Sequence, residues 1–423
     1  MSKQSFSIDV VPFGLARFGF VELEDGDFLA LCSGWQGSVS KDRGRTWSKP
    51  QPLMTTSGTP MAGGKGNASI LRLASGRLGI QRMVLDDPDP KQGGGNDYAL
   101  SFCTSEDEGR TWSEASPINR PGAQGCPYYD VLIQMKSGRL ILPVRACYAG
   151  DRSEKDAGSA KGTVKGHRVG VEGHAHYPEL EVGFVYYSDD DGTTWRRAVN
   201  HVIGWPDDGH RGAYAVDEPT VAETGDGRVL MYARATLGRV LASRSDDDGV
   251  HWSRGLPNEL CSSNSPVRLR SIPATGDLHC VWNQVTAAEI RGGYRRSRLT
   301  SAISRDNGES WQHFTTLDCA DTLDKAPQQT PDPDMAFVVA DDECGEMPDN
   351  FSTFRYPNVR YVGDLAYINY DRESFKFPGS PARQHVLRAL PIEWLYDDSR
   401  TDLSLPNDVA AAAALAEGED IED

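Results

Sequence analysis

The chain has 423 residues, of which 38% are hydrophobic, and it carries a formal net charge of −17. This acidic balance argues against general binding to nucleic acid or to anionic membranes, because both are negatively charged. No stretch approaches the roughly 18 consecutive apolar residues of a transmembrane helix, so we expect no membrane span. An anionic small substrate stays compatible with the composition, since local arginines can dominate the field inside a pocket.

The N-terminal sequence MSKQSFSIDVVPFG lacks the apolar run of a signal peptide. The eight cysteines are scattered and none forms a C-x-x-C pair, which is typical of reduced, buried thiols. We therefore expect a cytoplasmic protein, with a secreted mature form that follows a removed signal as the alternative. We expect no cofactor.

An eight-residue motif, S-x-D-x-G-x-x-W, occurs five times along the chain. The copies are SKDRGRTW from Ser40, SEDEGRTW from Ser105, SDDDGTTW from Ser188, SDDDGVHW from Ser245 and SRDNGESW from Ser304. The three acidic residues of SDDDGTTW suggest catalysis, but one active site does not need five such clusters. We interpret the octet as a turn whose Asp accepts backbone N–H bonds and whose Trp packs against the sheet.

A second motif, two apolar strands joined by a Gly turn, alternates with the octets. Its six copies are VELEDGDFLAL, LRLASGRLGI, IQMKSGRLILPV, VAETGDGRVLMYAR, RSIPATGDLHCVW and VRYVGDLAYINY. Such turns between apolar runs are hairpin signals, because Gly tolerates the positive φ that the turn requires. One Gly turn and one octet make a four-stranded unit, and six units predict an all-β, six-bladed β-propeller.

The two chain ends depart from the repeat. The sixth unit, near residues 354–394, lacks an octet, and the first has little sequence before its Gly turn. We expect strands from the two ends to pair and close the ring. Residues 1–395 then form the propeller, and residues 396–423 form an acidic, Ala-rich tail. Two long insertions, 146–180 and 317–353, are expected to cover or shape the central site.

The octets resemble the Asp-boxes, or BNR repeats, of the sialidase (neuraminidase) superfamily, over about residues 14–394. The resemblance implies a sialidase-like six-bladed propeller and an exo-α-sialidase-type retaining hydrolase that acts on an anionic carbohydrate. The site of that family has three arginines that grip the substrate carboxylate, a Tyr nucleophile, a Glu that activates the Tyr and an Asp acid/base. The Asp-box alone does not fix an activity.

The resemblance assigns candidate residues to most of these roles. AVDEPTVAETGDGRVLMYAR offers Glu218 as the base and Arg234 as one arginine, and FRYPNVRYVGDLAYINY offers Tyr356 as the nucleophile. LARFGFVELEDGDFL offers Arg17, although Phe-Gly replaces the family's Ile-Pro. GGYRRSRLTSAISRDNGESW offers Arg296 as the third arginine. The chemistry is consistent, because a guanidinium grips a carboxylate bidentately and a neutral Tyr is not repelled by it.

Each assignment has a structural alternative. Arg295 and Arg298 compete with Arg296, two of these three are expected to be solvated, and Arg268 and Arg270 are more distant alternatives. Glu218 and the arginines could otherwise be strand-end charges, and Tyr356 a buried core residue.

The acid/base is the point at which the resemblance fails. In sialidases it lies in the first unit, but the corresponding stretch here, LCSGWQGSVS, contains no Asp or Glu. Substitutes are Asp87, with Asp86 and Asp89, in LDDPDP and His176, with Glu172 and His174, in VEGHAHYPE. A His can serve as acid or base near neutral pH. We expect no metal at the H-x-H pair, because no third ligand is close in sequence.

This gap leaves other functions open. They are a polysaccharide lyase or another glycosidase acting on uronic-acid glycans, and a carbohydrate-binding propeller without catalysis. A lyase would also place Arg near a carboxylate and would use Tyr or His to remove the neighbouring proton.

Overall fold

Six antiparallel sheets follow one another along the chain and form the predicted six-bladed β-propeller. The computed structural model describes residues 6–8, 19–61, 67–85, 98–120, 123, 125–147, 161–170, 180–205, 214–235, 237–292, 294–324, 346, 348–376, 378 and 382–399. Helix α1 (Ala287–Arg291) and a 3-10 helix (Ile392–Tyr396) accompany the strands. No helix in these ranges is long and apolar enough to cross a membrane.

The first three blades contain the following strands in chain order. After β1 (Phe6–Ile8), blade one has β2 (Phe20–Glu22), β3 (Phe28–Cys32), β4 (Gln36–Ser40) and β5 (Gln51–Pro52), followed by β6 (Met54–Thr55). Blade two has β7 (Ala68–Arg72), β8 (Leu78–Leu85), β9 (Tyr98–Ser105), β10 (Thr111–Trp112), which pairs with β6, and β11 (Ser116–Pro117). Blade three has β12 (Cys126–Pro127), β13 (Ile133–Gln134), β14 (Leu140–Cys147), the inserted hairpin β15 (Lys161–Val164) and β16 (His167–Gly170), β17 (Glu181–Ser188) and β18 (Arg196–Arg197).

The last three blades are more regular. Blade four has β19 (Asp217–Glu223), β20 (Val229–Arg234), β21 (Arg239–Ser245) and β22 (Leu256–Cys261). Blade five has β23 (Arg268–Ser271), β24 (Leu278–Trp282), β25 (Arg298–Ser304) and β26 (Gln312–Cys319). Blade six has β27 (Asn350–Val362), β28 (Leu365–Lys376) and β29 (Ala382–Pro391).

The ring is closed by the N-terminal strand. β1 pairs antiparallel with β29, with Phe6 opposite Ala389, and so becomes the outer strand of blade six. The predicted pairing of the two chain ends is therefore confirmed. This closure matters because β29 would otherwise be an exposed edge strand, and an exposed edge can pair with strands of other chains.

Each octet forms the turn between the third and fourth strands of its blade. In the second copy, Asp107 accepts hydrogen bonds from the N–H and the hydroxyl of Thr111, at 2.8 and 2.7 Å. Ser105 Oγ accepts from the N–H of Gly109 at 2.9 Å. The Asp makes equivalent pairs of bonds in the other four copies. The acidic residue of the octet is therefore occupied in holding the turn.

The octets also hold neighbouring blades together. Gly109 has a φ of +81°, and a Cβ there would lie 2.5 Å from Leu29 of blade one. A Cβ at Gly192 would lie 2.1 Å from Phe102 of blade two. Trp112 is fully buried in the cluster shared by blades one and two. Glycine is needed at this octet position both for its backbone conformation and for the close approach of the preceding blade.

Asp130, between β12 and β13, is a fully buried carboxylate on which the innermost strands converge. It receives hydrogen bonds from Asn358 Nδ2 at 2.7 Å and from Arg360 Nε at 2.8 Å, both of blade six. Its own N–H donates to the carbonyl of Ala68 in blade two at 2.9 Å. Removing one partner from such a buried pair typically costs about 3–5 kcal/mol.

Two arginines of blade five complete this axial cluster. Arg268 donates to the carbonyls of Asp130 and Pro357, both at 3.1 Å, and Arg270 donates to the same Asp130 carbonyl. Burial lowers the pKa of Arg268 to about 10 and, with the nearby charges of Arg268 and Arg360, that of Arg270 to about 9. Both stay cationic at neutral pH, so the axial cluster holds three arginines around one carboxylate.

Gly19 explains the departure from the family's R-I-P motif. It has a φ of +70°, and a Cβ at this position would lie 2.3 Å from Asp130 Oδ2. The Asp130 carboxylate occupies the space that any side chain at position 19 would need, so glycine and the axial cluster depend on each other.

Gly19→Ala should destabilise the fold more than Gly34→Ala. Gly34 has a similar φ of +75°, but a Cβ there would meet nothing within 4 Å, so this position isolates the backbone cost. That cost is about 1–2 kcal/mol for each variant, and the clash with Asp130 adds about 1–3 kcal/mol for Gly19→Ala alone. Urea unfolding of the two variants measures the difference. Equal midpoints would show that Asp130 does not constrain this position.

Candidate functional site

Glu218 and Tyr356 occupy matching, strained positions on two innermost strands. Glu218 lies on β19 with a φ of +47°, and Tyr356 lies on β27 with a φ of +58°. Each precedes a proline and sits where the strand register shifts. A left-handed conformation costs a non-glycine residue about 1–2 kcal/mol, and such strain often marks functional positions. The bulge turns each side chain out of the regular strand alternation.

Both residues lie at the end of the ring that is opposite to the octets. In blade four, Val229 pairs with Ser245, where the octet begins, whereas Arg234 at the far end of the same strand pairs with Asp217. The site is therefore formed by the starts of the inner strands and the ends of the second strands. Insertions after β14 and before β27 emerge at this same end.

Arg234 and Arg296 are joined to Glu218 by a continuous chain of contacts. Arg234 Nη1 lies 3.3 Å from Glu218 Oε2, and its Nε donates to Asn264 Oδ1 at 2.6 Å. Arg296 Nη2 donates to the Asn264 carbonyl at 2.9 Å. Asn264 thus fixes both guanidinium groups. The carbonyl of Arg296 accepts the N–H of Phe354, two residues before Tyr356, at 2.8 Å.

Three buried carboxylates share two arginines on the blade-three side of the site. Arg145 pairs with Glu181 and, at 3.2 Å, with Asp217, while Arg234 contacts Asp217 at 3.5 Å as well as Glu218. Burial, reinforced by the charge of Asp217, raises the pKa of Glu181 to about 7 and also raises the pKa of Glu218. Two cations therefore do not fully stabilise three ionised carboxylates, which favours the protonated forms of Glu181 and Glu218.

The ring of Tyr356 packs in a cluster with two other tyrosines. Its centroid lies 5.4 Å from the centroids of both Tyr128 and Tyr129, which are 4.7 Å from each other. Tyr128 is buried and Tyr356 is half-buried. Arg268 donates to the carbonyls of Tyr129 and Pro357. The axial arginine is therefore in direct contact with the backbone beside Tyr356.

The structure brings together four of the predicted site residues, and three lie outside the described part of the chain. Glu218, Arg234, Arg296 and Tyr356 meet at one end of the ring. Arg17, Asp87 and His176 lie outside the described residues, as do Asp86, Asp89, Glu172 and His174.

The prediction that two of Arg295, Arg296 and Arg298 are solvated is wrong. All three are buried, with 2%, 3% and 1% of their surface exposed. Arg298 makes a bidentate pair with Glu289 at 2.7 and 3.0 Å, in the first turn of α1, a helix that the sequence analysis did not identify. Arg268 and Arg270, the more distant alternatives, are engaged by Asp130 and by backbone carbonyls.

The two insertions contact each other. Thr163 Oγ1 donates to Glu346 Oε2 at 2.6 Å, and Lys165 Nζ pairs with Asp349 Oδ2 at 2.8 Å. The hairpin belongs to blade three, and Asp349 directly precedes the inner strand of blade six. These contacts therefore join the insertions of two blades that face each other in a six-bladed ring.

The family of the chain follows from its sequence match. The family described as "BNR repeat-like domain" matches residues 88–368. The chain belongs to this family. No curated protein matches the chain.

Solved structures share the sialidase-like fold of this BNR propeller at low sequence identity. A Dyadobacter fermentans protein of unknown function is 14% identical, with 92% of this chain and 98% of that chain covered and a TM-score of 0.52. A Trypanosoma rangeli sialidase in complex with 2,3-difluorosialic acid is 15% identical, with 93% and 57% covered and a TM-score of 0.52. An α-L-arabinofuranosidase from Fusarium graminearum is 12% identical, with 93% and 99% covered and a TM-score of 0.52. These likenesses establish the propeller fold alone.

Several residues of the site in this BNR propeller were not predicted. The position of Arg145 could have been predicted from the sequence. Arg145 is the last residue of GRLILPVR and Arg234 is the last residue of GRVLMYAR, so both follow the Gly of the turn at the same distance. Asp217 is adjacent to Glu218 in VDEP. Tyr128 and Asn264 lie in loops with no repeated pattern, so their place in the site depends on the folded ring.

Glu181→Gln should flatten the dependence of stability on pH. The folded protein holds a proton on Glu181 up to about pH 7, whereas the unfolded chain releases it near the ordinary pKa of 4.5. Glu181 therefore makes the free energy of unfolding fall as the pH rises through this window. Urea unfolding between about pH 5 and pH 8 should show a smaller fall for the variant. Glu106→Gln, at an exposed octet position, is the control. In this variant the free energy of unfolding should depend on pH as it does in the wild type.

Proposed function

We propose that this protein is a glycoside hydrolase that removes a terminal anionic sugar by exo-α-sialidase-type retaining hydrolysis. The observation that carries the proposal is the convergence of Glu218 and Tyr356, both at strained bulge positions, with Arg234 and Arg296 at one end of the ring. The BNR family and the sialidase-like fold support it.

In the proposed mechanism Tyr356 is the nucleophile and Glu218 is its base. The Tyr356 oxygen attacks the anomeric carbon while its proton passes to the Glu218 carboxylate, which gives a covalent glycosyl-tyrosine. Water then releases the sugar with overall retention. Burial favours a protonated Glu218, and the charges of Arg234, Arg145 and Arg296 oppose this effect. These opposing influences suit a group that must accept a proton and later return it.

The charge distribution supports an anionic substrate. The chain as a whole is acidic, but the axial cluster places Arg268, Arg270 and Arg360 around the single carboxylate of Asp130. One of the three, Arg268, donates to the carbonyl of Pro357, the residue after Tyr356. A carboxylate near Arg234 and Arg296 would be stabilised by this field as well as by direct contact.

The contacts between the insertions are compatible with action on a chain end. Thr163 with Glu346 and Lys165 with Asp349 join insertions that emerge at the end of the ring that bears the site. A terminal sugar needs room on one side only.

A glycosidase for a neutral sugar is the second candidate. The pairing of Arg234 with both Asp217 and Glu218 favours it, because that guanidinium is already largely neutralised within the protein. The fold is also shared with an α-L-arabinofuranosidase.

Wild-type protein should release 4-methylumbelliferone from its α-sialoside, and Tyr356→Phe should lower kcat/KM more than about 100-fold. The loss follows because phenylalanine has no oxygen to form the covalent intermediate. Fluorescence measures turnover, and the same assay with the aryl α-L-arabinofuranoside tests the second candidate. Turnover of the arabinofuranoside alone would replace the proposed substrate class, and equal turnover by the variant would remove Tyr356 as the nucleophile.

Arg296→Gln should reduce discrimination between a sialoside and its carboxylate methyl ester. Loss of a charged hydrogen-bonding partner costs about 1.5–3 kcal/mol, so the preference for the free acid should fall by about 10- to 100-fold. The ratio of the two kcat/KM values is the measurement. Arg244→Gln is the control, because Arg244 pairs with Glu309 at the octet end of the ring. An unchanged ratio in Arg296→Gln would contradict a carboxylate-binding role.

A further inference from the structure

Tyr128 has a buried hydroxyl with no hydrogen-bond partner among the residues that the structure describes. Only 6% of the residue is exposed. Burying a hydroxyl without a partner costs about 1–3 kcal/mol, and a native protein rarely carries this cost without a reason. Such a group at a candidate active site points to a ligand atom as its missing partner.

The hydroxyl of Tyr128 lies near the residues to which the proposed mechanism assigns the chemistry. The Tyr128 ring lies 5.4 Å from the Tyr356 ring, on the same tyrosine cluster. Burial and then the charges of Glu218 and Tyr356 raise the pKa of Tyr128 well above its usual value, while Arg296 lowers it. The Tyr128 hydroxyl is therefore within electrostatic reach of the proposed nucleophile, base and carboxylate-binding arginine, and it is neutral at ordinary pH.

A proton donor for the leaving group is the role that the sequence leaves unfilled. The stretch between β3 and β4 contains no carboxylic acid. Among the carboxylates described at the site, Asp217 and Glu218 pair with Arg145 and Arg234, and Glu218 is the proposed base. Glu181 pairs with Arg145 on the blade-three side, and because burial raises its pKa to about 7 it is the competing proton donor. Tyr128 carries a transferable proton that no other described group engages.

We propose that Tyr128 is a catalytic residue, which donates its phenolic proton to the departing glycosidic oxygen. This inference rests on the proposed glycosidase function and adds to it the identity of the acid.

The proton transfers balance over the two steps. In the first, the Tyr356 oxygen bonds to the anomeric carbon and its proton goes to Glu218, while the glycosidic C–O bond breaks and the leaving oxygen takes the Tyr128 proton. The Tyr128 phenolate that forms is stabilised by the nearby charge of Arg296. In the second step, water gives a proton to Tyr128 and bonds to the anomeric carbon, the bond to Tyr356 breaks, and Glu218 returns the proton to Tyr356.

The test compares two leaving groups in wild type and Tyr128→Phe. The aryl substrate is 4-methylumbelliferyl α-sialoside, whose leaving group needs little protonation, and the alkyl substrate is sialyllactose, whose leaving group needs a proton. Tyr128→Phe should lower kcat/KM about 10²- to 10⁴-fold for sialyllactose and less than about 10-fold for the aryl sialoside. Thermal unfolding should shift to a higher temperature, because the removed hydroxyl is buried with no partner among the described residues.

The control is Tyr367→Phe, a buried tyrosine that packs on Phe20 and Phe28 between blades one and six, away from the site. It should keep wild-type kinetics on both substrates. Equal losses on the two substrates in Tyr128→Phe, or no loss on either, would overturn the role of Tyr128 while leaving the proposed function intact. A wild type that turns over neither substrate would instead refute the proposed function, and the inference with it.

Discussion

The Asp130 carboxylate is the interaction on which the rest of the structure depends. It lies at the axis, where it joins its own blade three to Asn358 and Arg360 of blade six and, through its backbone, to blade two and to the arginines of blade five. Gly19 of blade one packs directly against it. A propeller has no single core, because each sheet packs mainly on its two neighbours. A charged residue of blade three that four other blades contact therefore fixes how the inner strands are positioned relative to one another, and a buried ion pair of this kind specifies geometry more than it adds stability.

The same innermost strands store strain at the positions of the candidate site. Among the described residues, three non-glycine residues on or beside the inner strands have a positive φ: Asp130, Glu218 and Tyr356. The other non-glycine residues with positive φ lie in turns or in outer strands. Glu218 and Tyr356 each lie where the strand register shifts, so they depart from the regular alternation of side chains. The octets, at the opposite end, supply rigid turns that can hold this strain. The octets and the candidate site thus lie at opposite ends of the ring.

The sequence predicted the fold because its signals are local and repeated. An Asp-box or a Gly turn specifies its own hairpin, and counting such units predicts six blades without any tertiary information. The axial cluster could not be found this way, since Asp130 and its partners Asn358 and Arg360 are 228 and 230 positions apart. The exposure predicted for the arginines near Arg296 was wrong for a different reason. Glu289, which pairs with Arg298, is only nine positions away, but it lies on helix α1, which the sequence analysis did not identify. Arg145 was within reach of sequence reasoning, since it repeats the position of Arg234.

The pairing of Arg234 with Glu218 has a consequence for how binding and chemistry are coupled in the proposed mechanism. In the structure the guanidinium stabilises the ionised form of Glu218, and so makes it a weaker base. A substrate carboxylate that binds Arg234 competes with Glu218 for the same donors. When the substrate carboxylate draws Arg234 away, Glu218 loses part of the positive charge that stabilises its ionised form. The affinity of Glu218 for a proton then rises at the step in which Tyr356 must release one. A neutral sugar has no carboxylate to draw Arg234 away, so this arrangement would favour an anionic substrate in the chemical step and not only in binding.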